Sequence, residues 1–341
     1  MTQKLIGKFR PGYAALFAVL ILSVTCGTLP GQDQQEAIQN IMYQSGQAVV
    51  PSYEGWHPNP DGTIDLWFGY LNLNWKEELD IPVGPDNTIT PAEYGPDAGQ
   101  PTHFLPRTNH WQFSIRVPKD FGAKEILWTL TSHGKTYRTY ASLKPGYIHD
   151  DMGMQREFYG TPPPGNLPPV LTLKGERRRT VKVDQPIELT ALATDDGLPS
   201  AGGRAAADDA GATGGGGRAG ATGGGGRAGR GAGGGGAGGG ASGGLAIGGD
   251  SVRGVAKGLR LAWYVYRGKN EVTFDPPQFK VWEDQRGGSP WAPGWVNPRI
   301  PPENTWVVHV TFREPGTYVL RCQASDGLWN TNENVTFVVT K

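Results

Sequence analysis

Cysteine is scarce in this chain, and its scarcity limits the chemistry available. Among 341 residues only Cys26 and Cys322 are cysteines, and Cys26 lies in an apolar N-terminal segment. If that segment is removed, Cys322 has no partner for an internal disulfide. Cys322 alternates with Tyr318, Leu320 and Ala324, which places it on the inward face of a predicted strand. We therefore predict a buried, unreactive thiol rather than a nucleophile.

An excess of either charge is also missing. Lys plus Arg and Asp plus Glu both number 32, so the formal net charge is zero. Such a chain has no general field that would attract nucleic acid or an anionic membrane, and we expect no nucleic-acid partner. The sequence contains no Gly-x-Ser-x-Gly elbow, no cysteine–histidine nucleophile pattern and no haem-attachment motif. These absences favour a protein without catalytic residues.

The first 31 residues have the layout of an export signal. Basic residues precede an apolar run from Tyr13 to Val24, and small residues follow it. The run is short for a membrane-spanning helix, which needs roughly 20 residues. Two alternatives stay open, an uncleaved single anchor and acylation of Cys26. We predict a periplasmic, cell-surface or secreted protein, attached to a membrane only through this segment if it is uncleaved or lipidated.

A first domain is predicted from residue 53 to residue 159, after a lead-in at 32–52 that has the apolar spacing of a short helix. Apolar side chains alternate with others along this domain, which is typical of a half-buried sheet. One such set is Ile64, Leu66, Phe68 and Tyr70. His133-Gly134 is predicted to be a two-residue hairpin turn. The Pro- and Gly-rich stretch 81–107 is expected to cross the sandwich as a long ordered loop.

A Pro-rich linker at 160–169 leads to a second domain, predicted to span 170–341. Its consecutive prolines favour a stiff spacer that holds the domains apart or at a set angle. A low-complexity Gly-rich insert at 201–250 interrupts the second domain. The insert has almost no side chains to bury, so we expect it to be disordered. Because the cost of closing a loop grows slowly with its length, one sandwich can still form around the insert.

The second domain carries a combination of motifs that is fairly specific. They are Ala193-Thr-Asp-Asp-Gly-Leu-Pro199, the core residue Trp263, Val272-Thr-Phe274, Val310-Thr-Phe-Arg-Glu-Pro-Gly-Thr-Tyr-Val-Leu-Arg321 and Ala324-Ser-Asp-Gly327. Through these motifs the C-terminal half resembles PKD-type immunoglobulin-like domains of exported bacterial proteins. The resemblance implies a seven-strand sandwich used for spacing, adhesion or binding, usually without catalysis. The N-terminal half resembles uncharacterised exported bacterial proteins, and that resemblance implies no function.

A tryptophan-rich loop is the first candidate site. It contains Trp282, Trp291 and Trp295 together with Arg286, and its glycines and prolines place it in a loop. Tryptophan rings on a loop can stack on sugar rings or anchor a protein partner. The alternative is that the rings pack on the neighbouring domain or cover a sheet edge. The expected partner is an envelope protein or a polysaccharide.

Three aspartates form the second candidate site. Asp195, Asp196 and Asp326 follow strands on the two halves of the second sandwich. Carboxylates that converge there would suit calcium, the one cofactor that the sequence suggests. Aspartate before glycine is also the ordinary chemistry of tight turns, and no full calcium-ligand loop is visible.

The predicted fold class is all-β, with two β-sandwich domains, the second immunoglobulin- or PKD-like around the disordered insert. Three functional hypotheses follow. The first is an exported, non-enzymatic binding or structural module at the cell envelope or outside the cell. The second is a carbohydrate-recognition accessory protein that uses the tryptophan-rich loop. The third is a hydrolase with a site in the first domain around His103, Arg107 and His110.

Overall fold

A computed structural model describes residues 42–149, 163–199 and 255–341. The predicted export signal, the first part of the lead-in (32–41), the start of the Pro-rich linker and the Gly-rich insert lie outside the described residues. The described residues from Gln44 onward group into one compact unit, which contains both sandwiches. No helix within the described ranges is long and apolar enough to cross a membrane.

The first sandwich has two antiparallel three-stranded sheets and a short two-stranded ribbon. One sheet has the order β1-β2-β6, the other has the order β4-β7-β8, and the ribbon pairs β3 with β5. Its strands are β1 (Val49–Pro58), β2 (Ile64–Asn72), β3 (Leu79–Asp80), β4 (Asn87–Thr90), β5 (His103–Phe104), β6 (Arg107–Val117), β7 (Ile126–Ser132) and β8 (Lys135–Ala141). A 3-10 turn at Pro145–Tyr147 follows β8.

Alternating side chains of the first sandwich form its core, as their period of two predicts. Leu66 and Phe68 are fully buried, and Tyr70 is 2% exposed. Trp128 of β7 lies at the centre, with its ring perpendicular to that of Phe113 at a centroid distance of 5.0 Å. Aromatic rings therefore supply much of the apolar area that stabilises this sandwich.

The predicted hairpin turn is confirmed. β7 ends at Ser132 and β8 starts at Lys135, so the connection consists of His133 and Gly134. Both residues have positive φ, 48° and 71° respectively. Two consecutive residues in the left-handed region give a turn whose twist matches that of the flanking strands.

Two features of the first sandwich differ from the expectation. β1 begins at Val49 instead of residue 53, and the backbone N–H of Val49 donates to Ser132 Oγ at 3.0 Å. The stretch 81–107, expected to be a loop, supplies β4 and β5. Buried Asn87 holds this stretch in place, because its Nδ2 donates to the carbonyl oxygens of Ile81 and Pro101, both at 2.9 Å.

The second sandwich opposes two four-stranded sheets. One has the order β9-β11-β14-β13, and the other has the order β10-β16-β15-β12, with β10 parallel to β16. Its strands are β9 (Val170–Leu173), β10 (Arg178–Lys182), β11 (Ile187–Thr194), β12 (Arg260–Arg267), β13 (Val272–Asp275), β14 (Thr305–Phe312), β15 (Gly316–Ser325) and β16 (Asn330–Thr340). A 3-10 turn at Pro302–Asn304 precedes β14.

This strand order is the immunoglobulin arrangement, and two side chains support the assignment. Trp263 of β12 is 2% exposed in the core between the sheets. The hydroxyl of Tyr318, near the start of β15, donates to the carbonyl oxygen of Glu314 at 2.9 Å. This bond is the tyrosine corner of immunoglobulin-like sandwiches. The chain is therefore an all-β protein whose second sandwich is immunoglobulin-like.

Cys322 of β15 is fully buried, and burial raises the pKa of its thiol well above the ordinary value. A thiol that is both inaccessible and protonated is a poor nucleophile. We expect the native protein to leave Cys322 unlabelled by a thiol-disulfide reagent at neutral pH, whereas denatured protein reacts at once. A Cys322→Ala variant identifies the residue that is labelled in denaturant. Rapid labelling of the native chain at Cys322 would contradict this prediction.

Candidate functional site

The two sandwiches contact each other directly through β12 and β15. Trp263 and Val265 of β12 face the core of the second sandwich, so Tyr264 and Tyr266 are on its outer face. Even so, Tyr264 is 8% exposed and Tyr266 is 3% exposed. The Tyr266 hydroxyl donates to the carbonyl oxygen of Gly99 in the first sandwich at 2.8 Å. The outer face of β12 is therefore covered by the first sandwich.

Arg267 adds charge-assisted bonds to the same contact. Its Nε donates to the carbonyl oxygen of Gln100 at 2.7 Å, and its Nη2 lies 2.6 Å from Asp97 Oδ1. The hydrogen bond from Arg267 lowers the pKa of the Asp97 carboxyl. Next to it, the backbone N–H of Gly268 donates to Thr102 Oγ1 at 2.9 Å. Arg267 at the end of β12 and Gly268 after it thus bind one segment of the first sandwich, residues 97–102.

Arg321 of β15 is the buried charge of this contact. It is 5% exposed, and its guanidinium lies 3.6 Å from the centroid of the Tyr266 ring. Its Nε donates to Asn334 Oδ1 at 2.9 Å and its Nη1 to Gln112 Oε1 at 3.1 Å. Burial alone would lower the pKa of Arg321, but Tyr266 and Tyr264 raise it, so the side chain stays charged. We call the contacts of Tyr266, Arg267 and Arg321 with the first sandwich the joint.

A cleft of about 430 Å³ opens beside the joint. Both sandwiches contribute to its walls, and its volume is within the usual range of small-molecule sites, about 300–1,000 Å³. We define the cleft by six of its lining residues, which are Trp67, Trp111, Gln112, Arg321, Asn332 and Asn334.

The aromatic wall of the cleft is formed by Trp67 and Trp111, both half-buried. Their rings meet edge to face, with centroids 6.4 Å apart. A bulge in β6 produces this arrangement, because Trp111 has a φ of 52° and the pairing with β2 shifts register next to it. Gly69 permits the close approach of the two strands, since a Cβ there would be 2.6 Å from the carbonyl oxygen of Asn109.

The opposite wall of the cleft carries oriented amides on β16. Asn334 Oδ1 accepts from Arg321, and Asn332 Oδ1 accepts from Gln323 Nε2 at 3.3 Å. Because arginine has only donors, its bond fixes which end of the Asn334 amide is the oxygen. Neither amide nitrogen donates a hydrogen bond to another described residue. Both side chains are exposed, so two donor groups are available to a molecule in the cleft.

The predicted tryptophan-rich loop is partly buried. Trp291 is 7% exposed. Trp295 is half-buried, packs edge to face on Phe279 at a centroid distance of 5.3 Å and donates to Asn297 Oδ1 at 2.9 Å. Trp282 is also half-buried, and its indole nitrogen has no acceptor among the described residues.

Arg286 connects this loop to the first sandwich. Its Nε lies 2.7 Å from Oδ1 of Asp284, whose side chain is fully buried. Burial alone would raise the pKa of Asp284, but hydrogen bonds from Arg286 and Lys280 lower it. Arg286 Nη2 also donates to the carbonyl oxygen of Trp75 at 2.7 Å. Arg286 thus packs against the neighbouring sandwich, and ligand binding by the loop stays a prediction.

The three aspartates of the predicted calcium site act as turn residues. Asp326 is fully buried, and its Oδ1 accepts from the backbone N–H of Trp329 at 2.7 Å. Asp196 Oδ1 accepts from the backbone N–H of Leu198 at 2.8 Å. Burial raises the pKa of Asp195, whose Oδ1 has no donor among the described residues. Those residues contain no group of three or more His, Cys, Asp or Glu arranged to hold a metal, and calcium stays a prediction.

His103, proposed in the hydrolase hypothesis, is in a buried cluster. It is 2% exposed, with Nδ1 2.7 Å from Asp80 Oδ1 and Nε2 3.0 Å from Glu78 Oε2. Burial alone would lower its pKa, but the hydrogen bonds to both carboxylates raise it to about 9. His110 pairs instead with Glu54 at 2.9 Å. The two histidines therefore have different carboxylate partners.

Arg107, the third residue of that hypothesis, contacts neither carboxylate cluster. Its guanidinium lies 4.4 Å from the centroid of the Trp75 ring, and its Nη1 is 3.4 Å from the carbonyl oxygen of Leu73. Arg107, His103 and His110 therefore each contact different groups and are not brought together in one site. This arrangement gives the hydrolase hypothesis no support.

Comparison with known proteins yields only weak structural similarities. No protein-family model and no curated protein matches the chain. An I-band fragment of titin matches with a TM-score of 0.21 and 9% identity over 85% of this chain and 65% of that one. Titin domains in complex with telethonin match with a TM-score of 0.21 and 7% identity over 86% and 98%. Surface layer protein SbsC, domains 1–6, matches with a TM-score of 0.20 and 8% identity over 86% and 27%.

Scores this low support no argument about function. The immunoglobulin-like assignment therefore depends on strand order, Trp263 and the tyrosine corner of Tyr318. Sandwiches of this class serve as structural and binding modules in many cell-surface proteins. Fold alone does not define what such a module binds.

Proposed function

We propose that the chain is an exported, non-enzymatic structural and binding module that holds two β-sandwiches in one fixed orientation at the cell envelope or outside the cell. The observation that carries this proposal is the joint. Interfaces between domains of one chain usually permit relative motion unless they are extensive. Here the buried Arg321 donates to Asn334 of its own sandwich and to Gln112 of the first sandwich. Separating the sandwiches would break the bond to Gln112 and leave polar groups unpaired or exposed.

The sequence supports the exported part of the proposal. Residues 1–31 have the basic, apolar and small-residue regions of an export signal. The motifs that resemble PKD-type domains support a role in spacing or adhesion, with an envelope protein or polysaccharide as partner. Fractionation of cells that express the intact chain, beside a chain without residues 1–31, tests this. Export that depends on the segment supports the proposal, and equal retention of both in the cytoplasm contradicts it.

The fixed orientation is tested by a variant that removes two of the three side chains of the joint. In Tyr266→Ala with Arg267→Ala, the first sandwich loses the hydroxyl bond to Gly99 and the ion pair with Asp97. We expect the radius of gyration from small-angle X-ray scattering to rise and the maximum dimension to increase, because the sandwiches separate. An unchanged scattering profile in a variant that retains both folded sandwiches would show that these contacts do not hold the orientation, and would overturn the role that the proposal gives to the joint.

A matched control makes an arginine-to-alanine change at a residue outside the joint. Arg313 pairs with Asp184 at 2.9 Å within the second sandwich, and both side chains are more than half exposed. Exposed pairs of this kind contribute little to stability, on the order of 0–1 kcal/mol. Arg313→Ala should therefore leave the scattering profile as it is in the unaltered chain.

A further inference from the structure

We infer that the cleft between the sandwiches is a binding site for a neutral saccharide. This inference goes beyond the proposed function, which left the partner as an envelope protein or a polysaccharide, because it names one class of ligand and a site for it. It also places recognition away from the tryptophan-rich loop, at Trp67, Trp111, Asn332 and Asn334.

The aromatic wall supplies the first element of sugar recognition. A pyranose ring has an apolar face of C–H groups, and the half-buried rings of Trp67 and Trp111 present apolar surface of matching kind. The backbone strain at Trp111 is informative as well. A bulky residue with a φ of 52° is uncommon, and such residues persist where the surrounding structure holds a side chain in a required position.

The amide wall supplies the second element. Sugar hydroxyls both donate and accept hydrogen bonds, and amide side chains do the same. The bond from Arg321, which can only donate, orients the Asn334 amide, so its N–H groups are presented before a ligand arrives. Gln323 holds the Asn332 side chain in place through an amide–amide bond. Groups that are already oriented lose little entropy on binding.

The charge of the cleft indicates a neutral ligand. Arg321 is the one ionised side chain among the described residues that line it. That guanidinium is already engaged by the Tyr266 ring and by two amide oxygens, and it is 5% exposed. An anionic sugar would find no free cation, and a basic ligand would find no carboxylate. A volume of about 430 Å³ suits a unit of one or two sugar rings within a longer glycan.

The test measures binding of the full chain to short neutral oligosaccharides by isothermal titration calorimetry. The probes are tetrasaccharides of β-1,4-glucose, β-1,4-xylose, β-1,4-mannose and N-acetylglucosamine, beside an oligogalacturonate of similar length as the anionic probe. We expect at least one neutral tetrasaccharide to bind with a stoichiometry of one, and the oligogalacturonate to bind at least tenfold more weakly. Binding of the anionic probe alone, or of none of the five, would overturn the inference.

Two variants locate the site. Trp111→Ala removes half of the aromatic wall, and Asn332→Ala removes one exposed amide without touching the core. Each should weaken binding by tenfold or more while the thermal unfolding curve shows a folded chain. Trp295→Ala is the matched control, since it removes a half-buried tryptophan from the tryptophan-rich loop. Its affinity should be unchanged.

The reverse pattern identifies a different site. If Trp295→Ala abolishes binding and both Trp111→Ala and Asn332→Ala leave it intact, the saccharide binds the tryptophan-rich loop and the cleft inference is wrong. Binding of an extended peptide by the cleft, with no saccharide bound, would also overturn it. These outcomes are independent of the scattering and fractionation experiments, so the fixed-orientation proposal can stand when this one fails.

Discussion

Replacing Trp128 with alanine should destabilise the first sandwich by about 3–5 kcal/mol, the usual cost of truncating a large buried aromatic residue. Trp128 is fully buried, and its ring lies 5.0 Å from that of Phe113 and 6.1 Å from that of Phe68. The variant would leave a cavity among rings that β2, β6 and β7 hold in place, so the surroundings can collapse only partly. A native domain is marginally stable, by about 5–15 kcal/mol.

A lost hydrogen bond adds to the cavity. Trp128 Nε1 donates to Asn87 Oδ1 at 3.0 Å, and Asn87 in turn holds the stretch 81–107 through its two bonds to carbonyl oxygens. Without the indole, a buried amide oxygen has no donor, which costs about 1–3 kcal/mol by itself. Loosening of β4 should therefore accompany the loss of stability.

Urea unfolding followed by circular dichroism measures this effect. The free energy of unfolding of the first transition should fall in Trp128→Ala, and hydrogen exchange should quicken in β4. Trp295→Ala is the matched control, because the same atoms are removed from a half-buried position and the expected cost is about 1 kcal/mol or less. Equal losses in the two variants would show that Trp128 does not organise the core as described.

The sequence was sufficient to predict the parts of the fold that depend on local pattern. Alternation identified the buried face of β2, and the His133-Gly134 turn and inward-facing Cys322 are where they were predicted to be. The expected loop at 81–107 was correct only in part, because the stretch also contains β4 and β5. Its composition is typical of a loop. The Asn87 side chain nevertheless holds β4 in place through two hydrogen bonds that the local sequence pattern does not indicate.

The joint and the cleft could not be predicted in this way. Tyr264 and Tyr266 belong to a continuous apolar run from Leu261 to Tyr266, which is consistent with a strand buried on both faces but does not indicate what covers the second face. They are buried because a second sandwich, distant in sequence, covers them. Trp111 is a further example, since its position depends on a bulge whose register shift is visible only once β2 and β6 are paired. A local pattern contains no information on such long-range packing.

Raising the pH from about 7 to about 10 should destabilise the chain through His103, by about 3 kcal/mol if the full difference in pKa is expressed. The pKa of His103 rises from 6.5 to about 9 on folding. A group whose pKa is higher in the folded state binds its proton more tightly there. Its contribution is therefore complete below about pH 6.5 and is lost as the pH rises through about 9.

The geometry explains why deprotonation is costly at this position. The neutral ring keeps one N–H, so it can donate to Asp80 or to Glu78 but not to both. The other carboxylate then faces a ring nitrogen that is also an acceptor. Asp80 Oδ2 accepts from the backbone N–H of Asn270 at 3.2 Å, which couples this cluster to the second sandwich. Alkaline pH should thus loosen the contact between the sandwiches as well.

His103→Gln separates this effect from the titration of lysines and tyrosines, which also occurs in this range. The glutamine amide is large enough to keep one hydrogen bond but does not titrate in this range. The unfolding free energy of the variant should therefore change less with pH than that of the unaltered chain. The two curves, measured by urea unfolding at several pH values between about 6 and about 10, should converge as the pH passes 9. Parallel curves would mean that His103 is neutral in the folded state, and the charge assigned to the buried cluster would be wrong.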